Sequence, residues 1–186
     1  EYSRSSLHLI SQADLKQYYF LIRKDYKRNM AAHYCLELVD SIMPKEQRNL
    51  KIYKLILNYL ESLEFVKDID KVVHAFQIKI LLLSGFSPHL DSCVKCNRKI
   101  HSKARFSLKD GGLVCSSCPT MEHRFTLISK GAVSTILHVE QSSWENSMKL
   151  GLTAHVRKEL KYLLNHFLVY HLEKKIKTTR FLHSSD

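Results

Sequence analysis

Residues 70–96 read DKVVHAFQIKILLLSGFSPHLDSCVKC, and this stretch decides the fold. Val72, Val73, Phe76, Ile80 and Leu83 recur at helical steps and mark one face. Ile78, Leu81 and Leu82 make the remaining sides apolar too. A helix that is apolar all round lies inside a bundle. Gly85 stands where a C-cap glycine belongs, and Pro88 forbids continuation. The pair Cys93-Val94-Lys95-Cys96 follows, and there the helical period is gone.

On the C-terminal side, residues 87–127 read as an insertion without its own hydrophobic core. Arg105 to Leu108 and Leu113 to Cys115 flank Lys109-Asp110-Gly111-Gly112, the pattern of a hairpin with a glycine turn. The hairpin carries a second pair, Cys115-Ser116-Ser117-Cys118. Two such pairs bring four thiolates to one point and close a tetrahedron, so Cys93, Cys96, Cys115 and Cys118 are the candidate ligands of a structural Zn²⁺. Asn97 suits the positive φ a knuckle needs after its second cysteine. Redox disulfides, an iron–sulfur cluster or a site that has lost its metal are the alternatives. Four cysteines saturate the metal, which disfavours catalysis there. His89, His101 and His123 are near in sequence, but the four-cysteine set is the expected one.

Further along, Ser129 opens a helix to about Glu140, and Gln141 to Gly151 reads as a loop holding Trp144. Thr153 caps a last long helix whose buried face is Val156, Leu160, Leu163, Leu164, Phe167, Leu168 and Leu172. Its basic end, Lys174 to Arg180, complements the helix dipole. On the N-terminal side, Asp14 is a candidate cap, and the helical period runs from Lys16 to Met43, where Pro44 stops it. Leu50, Tyr53, Leu57, Leu60 and Leu63 line one face of a helix capped by Asn49. Asp70 opens the next. Cys35 reads as a small buried hydrophobe. The fold class is mainly α: a helical bundle with an inserted four-cysteine zinc-finger hairpin.

Composition agrees. Among 186 residues there are 5 glycines and 3 prolines, too few for the turns of a sandwich, barrel or Rossmann fold. No apolar run reaches the ~20 residues of a membrane span. Cysteine usage fits a reducing compartment, and a cytoplasmic location is expected. The net charge of +11 is concentrated. Residues 16–28 carry +4, while residues 93–124 and 153–183 carry +5 each. The rest of the chain is therefore net −3. Such patches suit a polyanion. The candidate DNA contacts are Arg23, Lys24, Lys27 and Arg28, then Arg98, Lys99, Lys103 and Arg105, then Lys174, Lys175, Lys177 and Arg180. Tyr18, Tyr19 and Phe20 beside the first group read chiefly as core contacts, with base stacking as the alternative. No phosphate loop, G-x-S-x-G or H-E-x-x-H is present, so no enzyme is indicated.

Four runs carry a family resemblance. They are Ala31-Ala32-His33-Tyr34-Cys35-Leu36-Glu37-Leu38-Val39-Asp40, then Phe76 through Gly85-Phe86-Ser87-Pro88 into Cys93-Val94-Lys95-Cys96. Gly111-Gly112-Leu113-Val114-Cys115-Ser116-Ser117-Cys118 is the third, and Tyr170, Leu172, Glu173, Lys177, Arg180, Phe181 and Leu182 form the fourth. In this order they resemble the RecO family of bacterial recombination mediators. The resemblance implies a non-enzymatic DNA repair protein. Such a protein binds single- and double-stranded DNA and anneals complementary strands. It also binds the acidic, aromatic-ended C-terminal tail of the single-stranded DNA-binding protein, pairs with RecR and thereby helps load RecA, with no membrane partner. Family members begin with an oligonucleotide-binding barrel. Here residues 1–15 are expected to be the remnant of its exit, and residues 16–186 the helical domain with the finger at 87–127. A zinc-stabilised protein-interaction scaffold without intrinsic DNA binding is the competing expectation.

Overall fold

A computed structural model describes residues 11–44, 47–100, 104–119 and 125–182. The expected extended piece at Leu7 to Ile10 lies outside these. In chain order the elements are α1 (Phe20–Lys24), α2 (Tyr26–Ile42), α3 (Leu50–Phe65), α4 (Ile69–Leu83), β1 (Ala104–Ser107), β2 (Gly112–Val114), β3 (Thr126–Ile128), α5 (Lys130–Gln141), α6 (Trp144–Lys149), α7 (Ala154–Leu172) and α8 (Thr179–Leu182). Among the described residues no helix is long and apolar enough to cross a membrane.

The apolar segment that opened the sequence reading is the bundle's central helix. α4 packs against α2, α3, α5, α6 and α7. Ten of its residues are buried, from Ile69 to Leu81. It ends as expected: Gly85 has φ 79°, and the Phe86 N–H donates to the Leu81 carbonyl at 2.9 Å. That closes the last turn and satisfies a terminal carbonyl. Its start differs, because Asp68 and not Asp70 accepts from the Lys71 N–H, at 3.1 Å. Asp70 sits in the first turn, where its charge still favours the dipole.

Asn49, Ser129 and Thr153 cap α3, α5 and α7 as expected. The expected helix from Lys16 to Met43 starts later and is broken in two. Asp14 caps nothing, and helix begins only at Phe20. It is interrupted at Asp25, whose extended backbone lets its carboxylate cap α2 through the Arg28 N–H at 2.8 Å. A tertiary contact replaces the missing local cap of α1: the Glu64 carboxylate accepts from the Leu21 and Ile22 N–H groups at 2.8 and 3.1 Å. The loop at Gln141 to Gly151 also contains a helix, α6, capped by Ser143.

α3 buries a different stripe from the expected one. Ile52, Leu55, Tyr59 and Leu63 are inside, whereas Leu50, Tyr53 and Leu57 are exposed. Tyr59 decides the orientation. Its ring lies 4.6 Å from Phe76 and 6.5 Å from Trp144, and its hydroxyl donates to the Ala31 carbonyl at 2.8 Å. An aromatic with a partnered hydroxyl outweighs aliphatics that have no opposing helix.

A buried polar network pins three helices. The Gln77 amide donates to the Tyr34 hydroxyl at 2.7 Å and to Asn165 Oδ1 at 2.9 Å, tying α4 to α2 and α7. His74 Nδ1 meets Gln77 Oε1 at 3.1 Å. α7 ends at Leu172, where Glu173 turns left-handed at φ 49°. Lys174, Lys175 and Lys177 therefore lie beyond the helix and not on its last turn. The chain that follows is tied to α2: Glu37 accepts from the Lys177 and Thr178 N–H groups at 2.7 and 2.8 Å.

The hairpin is present and is part of a three-stranded antiparallel sheet of order β2-β1-β3. The third strand, Thr126–Ile128, was not expected. The sheet also does not stand apart from the bundle. Ala104, Phe106, Leu113 and Ile128 belong to the same buried cluster as the helices, and the Phe106 ring meets Phe167 of α7 at 5.7 Å.

Candidate metal centre and basic surfaces

The first cysteine pair lies on a tight turn. The Asn97 N–H donates to the Cys93 carbonyl at 2.8 Å, and the Cys93 N–H to the Arg98 carbonyl at 3.0 Å. Asn97 has φ 57°, as its position suggested. The second pair begins one residue past β2, with the Cys118 N–H donating to the Cys115 carbonyl at 3.4 Å. Backbone pairing brings the turns together. Val94 N–H donates to the Leu113 carbonyl and Leu113 N–H to the His89 carbonyl, both at 2.9 Å.

Gly112 is required at this junction. A Cβ there would stand 2.5 Å from the His89 carbonyl oxygen and 2.7 Å from Val94 Cγ1. The Gly112→Ala variant is expected to lose about 2 kcal/mol or more of stability through overpacking against backbone. An unchanged urea midpoint would contradict this close approach.

The four Sγ atoms lie within 4.8 Å of one another, Cys93 to Cys118 at 3.9 Å and Cys96 to Cys115 at 3.8 Å. A tetrahedron with Zn–S bonds of ~2.3 Å has edges of ~3.8 Å, so the donor set fits a tetrahedral thiophilic dication. Among the described residues no histidine joins the group; His89 Nε2 pairs with Ser92 Oγ at 2.8 Å, and His101 and His123 lie outside those residues.

The surroundings favour thiolates. Burial raises the Cys93 thiol, but backbone N–H groups of Cys115, Lys95 and Cys96 outweigh it and bring it down to about 6. The Arg98 guanidinium, 3.4 Å from Cys96 Sγ, lowers that thiol. Cys118, hydrogen-bonded to Cys115 and Cys96, is pushed up to about 12. Those hydrogen bonds and burial hold a proton on Cys118, which a bound dication would displace. Cys35 is apart, wholly buried, with its thiol raised by desolvation. It behaves as the small hydrophobe its sequence context suggested.

The candidate DNA residues separate into kinds. Arg28 donates to the Leu63 and Val66 carbonyls, capping the end of α3. Arg105 donates to the Cys115 and Cys118 carbonyls at 2.7 and 3.1 Å and covers the Phe125 ring. These two guanidiniums, like Arg98, hold structure together. Arg23 and Lys24 lie over the rings of Tyr18 and Phe20 at 4.5 and 4.4 Å. Those rings are about half exposed, so the core reading of Tyr18 and Phe20 is corrected: the short α1 leaves them outside. Lys27 pairs with Asp70 at 3.3 Å. Lys99, Lys174, Lys175, Lys177 and Arg180 are exposed, and Lys103 lies outside the described residues. Sequence reading missed the Lys95–Asp110 ion pair (3.4 Å) and the Ser107 hydroxyl that donates to Asp110, which brace the hairpin turn against the first knuckle.

Fold and site define a class: a helical bundle with a thiolate-knuckle insertion that shares its core. Comparison with known proteins narrows it. Residues 23–180 match the family model described as Recombination protein O C terminal. A protein from Desulforamulus reducens named DNA repair protein RecO is 32% identical over 93% of this chain and 68% of its own length. Relatives of the same name from Caldicellulosiruptor bescii and Alkaliphilus metalliredigens are 33% and 29% identical, over 94% and 91% of this chain and 71% and 69% of theirs. The chain belongs to the RecO family.

Proposed function

We propose that this chain is the helical, zinc-bearing portion of a DNA repair and recombination mediator. The carrying observation is the family match over residues 23–180, which takes in the four-cysteine centre. Zn²⁺ held by Cys93, Cys96, Cys115 and Cys118 is structural on this reading, since four thiolates leave no open position. The protein binds single and double strands, anneals complementary strands by neutralising their phosphates, pairs with RecR and helps RecA load onto strands coated by the single-stranded DNA-binding protein. It performs no chemistry on the DNA.

Support for the DNA surface comes from the exposed cations: Arg23, Lys24, Lys99, Lys174, Lys175, Lys177 and Arg180. Arg28, Arg98 and Arg105 add to the field while holding structure. Support for the acidic-tail partner comes from a cavity of about 370 Å³ between α2 and α3, walled by Val39, Met43, Ile52, Tyr53 and Ile56 with Arg48 beside them. An apolar groove next to a cation suits a peptide that ends in an aromatic residue and carries acidic charge.

Fluorescence anisotropy with labelled single-stranded DNA over a salt series tests the reading. Affinity is expected to fall steeply with salt, by ~0.7 in slope for each phosphate contact. Replacing Lys174, Lys175, Lys177 and Arg180 by alanine is expected to weaken binding for every sequence and to flatten that slope by about 3. An unchanged slope removes the C-terminal patch from the interface. Tail-peptide binding without any DNA binding at low salt would favour the scaffold reading instead.

A further inference from the structure

A cavity of about 670 Å³ lies between the first turn of α4 and one face of α7. Its walls include Asp70, Arg157, Lys158, Lys161, Tyr162 and His166. The α7 residues recur at helical steps, so they share one side of the helix. Sequence reading had counted these cations only as part of a basic segment.

The chemistry of the walls selects a ligand. Arg157 is held by Asp68 and by the Leu152 carbonyl at 3.3 Å, which fixes its guanidinium at the cavity wall. Lys27 comes from α2 to pair with Asp70, neutralising the acid at the rim. Lys158 and Lys161 add two further cationic side chains to the cavity walls. An aromatic pair lines the same cavity. The Tyr162 and His166 rings are 4.0 Å apart and inclined by 32°, and Tyr162 is 52% exposed. His166 Nδ1 meets the Tyr162 carbonyl at 2.7 Å, which fixes the second ring.

A small inorganic anion has no use for exposed ring faces, and an uncharged aromatic has no use for the cations. A duplex keeps its base faces stacked inside and offers none to Tyr162. A single strand presents both phosphates and free base faces. Lys158 and Lys161 are three residues apart, ~4.5 Å along the helix axis, so both cations reach one stretch of strand. Lys27, already a candidate DNA contact, reaches the cavity's Asp70 from α2.

We propose that this α4–α7 cavity seats nucleotides of a single DNA strand, with phosphates on Lys158 and Lys161 and a base stacked on Tyr162. The assignment rests on the DNA-binding reading above and adds a site to it. The test is titration of labelled oligo-dT and of a matching duplex, with wild type, Tyr162→Ala, Tyr162→Phe and the double variant Lys158→Ala/Lys161→Ala. A parallel arm uses photocross-linking with a 5-iodouracil oligonucleotide.

Loss of one stacked base is worth ~1–3 kcal/mol, so Tyr162→Ala is expected to weaken single-strand binding roughly 5- to 150-fold. Tyr162→Phe is expected to restore it, and duplex binding to change far less. The lysine pair is expected to flatten the salt slope by about 1.4. The cross-link is expected on the α7 peptide that contains Tyr162. Tyr162 is exposed, so its variants test binding and not folding. Wild-type binding that survives these changes, with cross-links elsewhere, overturns this site and leaves the DNA reading standing. Equal losses for single strand and duplex overturn the stacking. No wild-type binding at low salt overturns both readings. Protection of Tyr162 by an acidic peptide and not by DNA overturns the ligand class.

Discussion

Phe76→Ala is expected to leave the domain close to its unfolding threshold at growth temperature. Phe76 is fully buried in α4, the helix that every other long helix touches, and its ring packs against Tyr59. Deleting a buried phenyl removes its transfer free energy and leaves a cavity, for a combined cost of ~3–5 kcal/mol. Whole domains are stable by only ~5–15 kcal/mol. The urea midpoint by circular dichroism is expected to fall by a third or more with an unchanged slope, because the same surface is exposed on unfolding. Phe76→Leu, which keeps most of the volume, is expected to cost under ~1.5 kcal/mol. A shift for Phe76→Ala no larger than that for Phe76→Leu would show that α4 is not the centre of the core.

The second large effect concerns the metal centre. Structural Zn²⁺ in small four-ligand sites contributes apparent binding energies of ~10–16 kcal/mol, much of it used in ordering the chain. Chelation is expected to release one zinc per chain and to disorder the two turns at residues 93–99 and 115–118. Helical circular dichroism is expected to survive, because Phe106, Leu113 and Ile128 hold the sheet in the shared core without help from the thiolates. The thermal midpoint is nevertheless expected to fall, since the knuckles clamp β2 through His89 and Val94. Cys93→Ser is expected to reproduce the loss of metal, and Cys35→Ser to keep it. Measured zinc content, hydrogen exchange of the two turns and a thermal melt check these outcomes. Collapse of the whole helical signal on chelation would mean that the sheet needs the metal to fold.

Local signals made much of this architecture legible. Asn49, Ser129 and Thr153 cap their helices through backbone three residues on, and Gly85 closes α4, so four helix ends could be read from neighbours alone. The cysteine spacing located the four-thiol cluster because both pairs lie on short turns joined by a hairpin. What escaped depended on distant partners. α1 is capped by Glu64, some forty residues away, and no local pattern marks its start. β3 pairs with β1 across the end of the finger, and three residues are too few to show alternation. On α3 two stripes were equally apolar, and only the meeting of Tyr59 with Phe76 and Trp144 selects between them. The α4–α7 cavity was hidden because Lys158 and Lys161 look like any solvated helix face until Asp70 and Tyr162 are seen beside them.

The sharing of one core by sheet and bundle has an engineering consequence. A metal-binding finger is often treated as a cassette that can be cut out or transplanted between hosts. Here excision between Pro88 and Phe125 would take Phe106 and Leu113 with it and leave the Phe167 ring facing water. A transplanted finger would equally arrive with an apolar underside and no helix to receive it. Shortening this domain at either of the finger's two roots would therefore open the helical core.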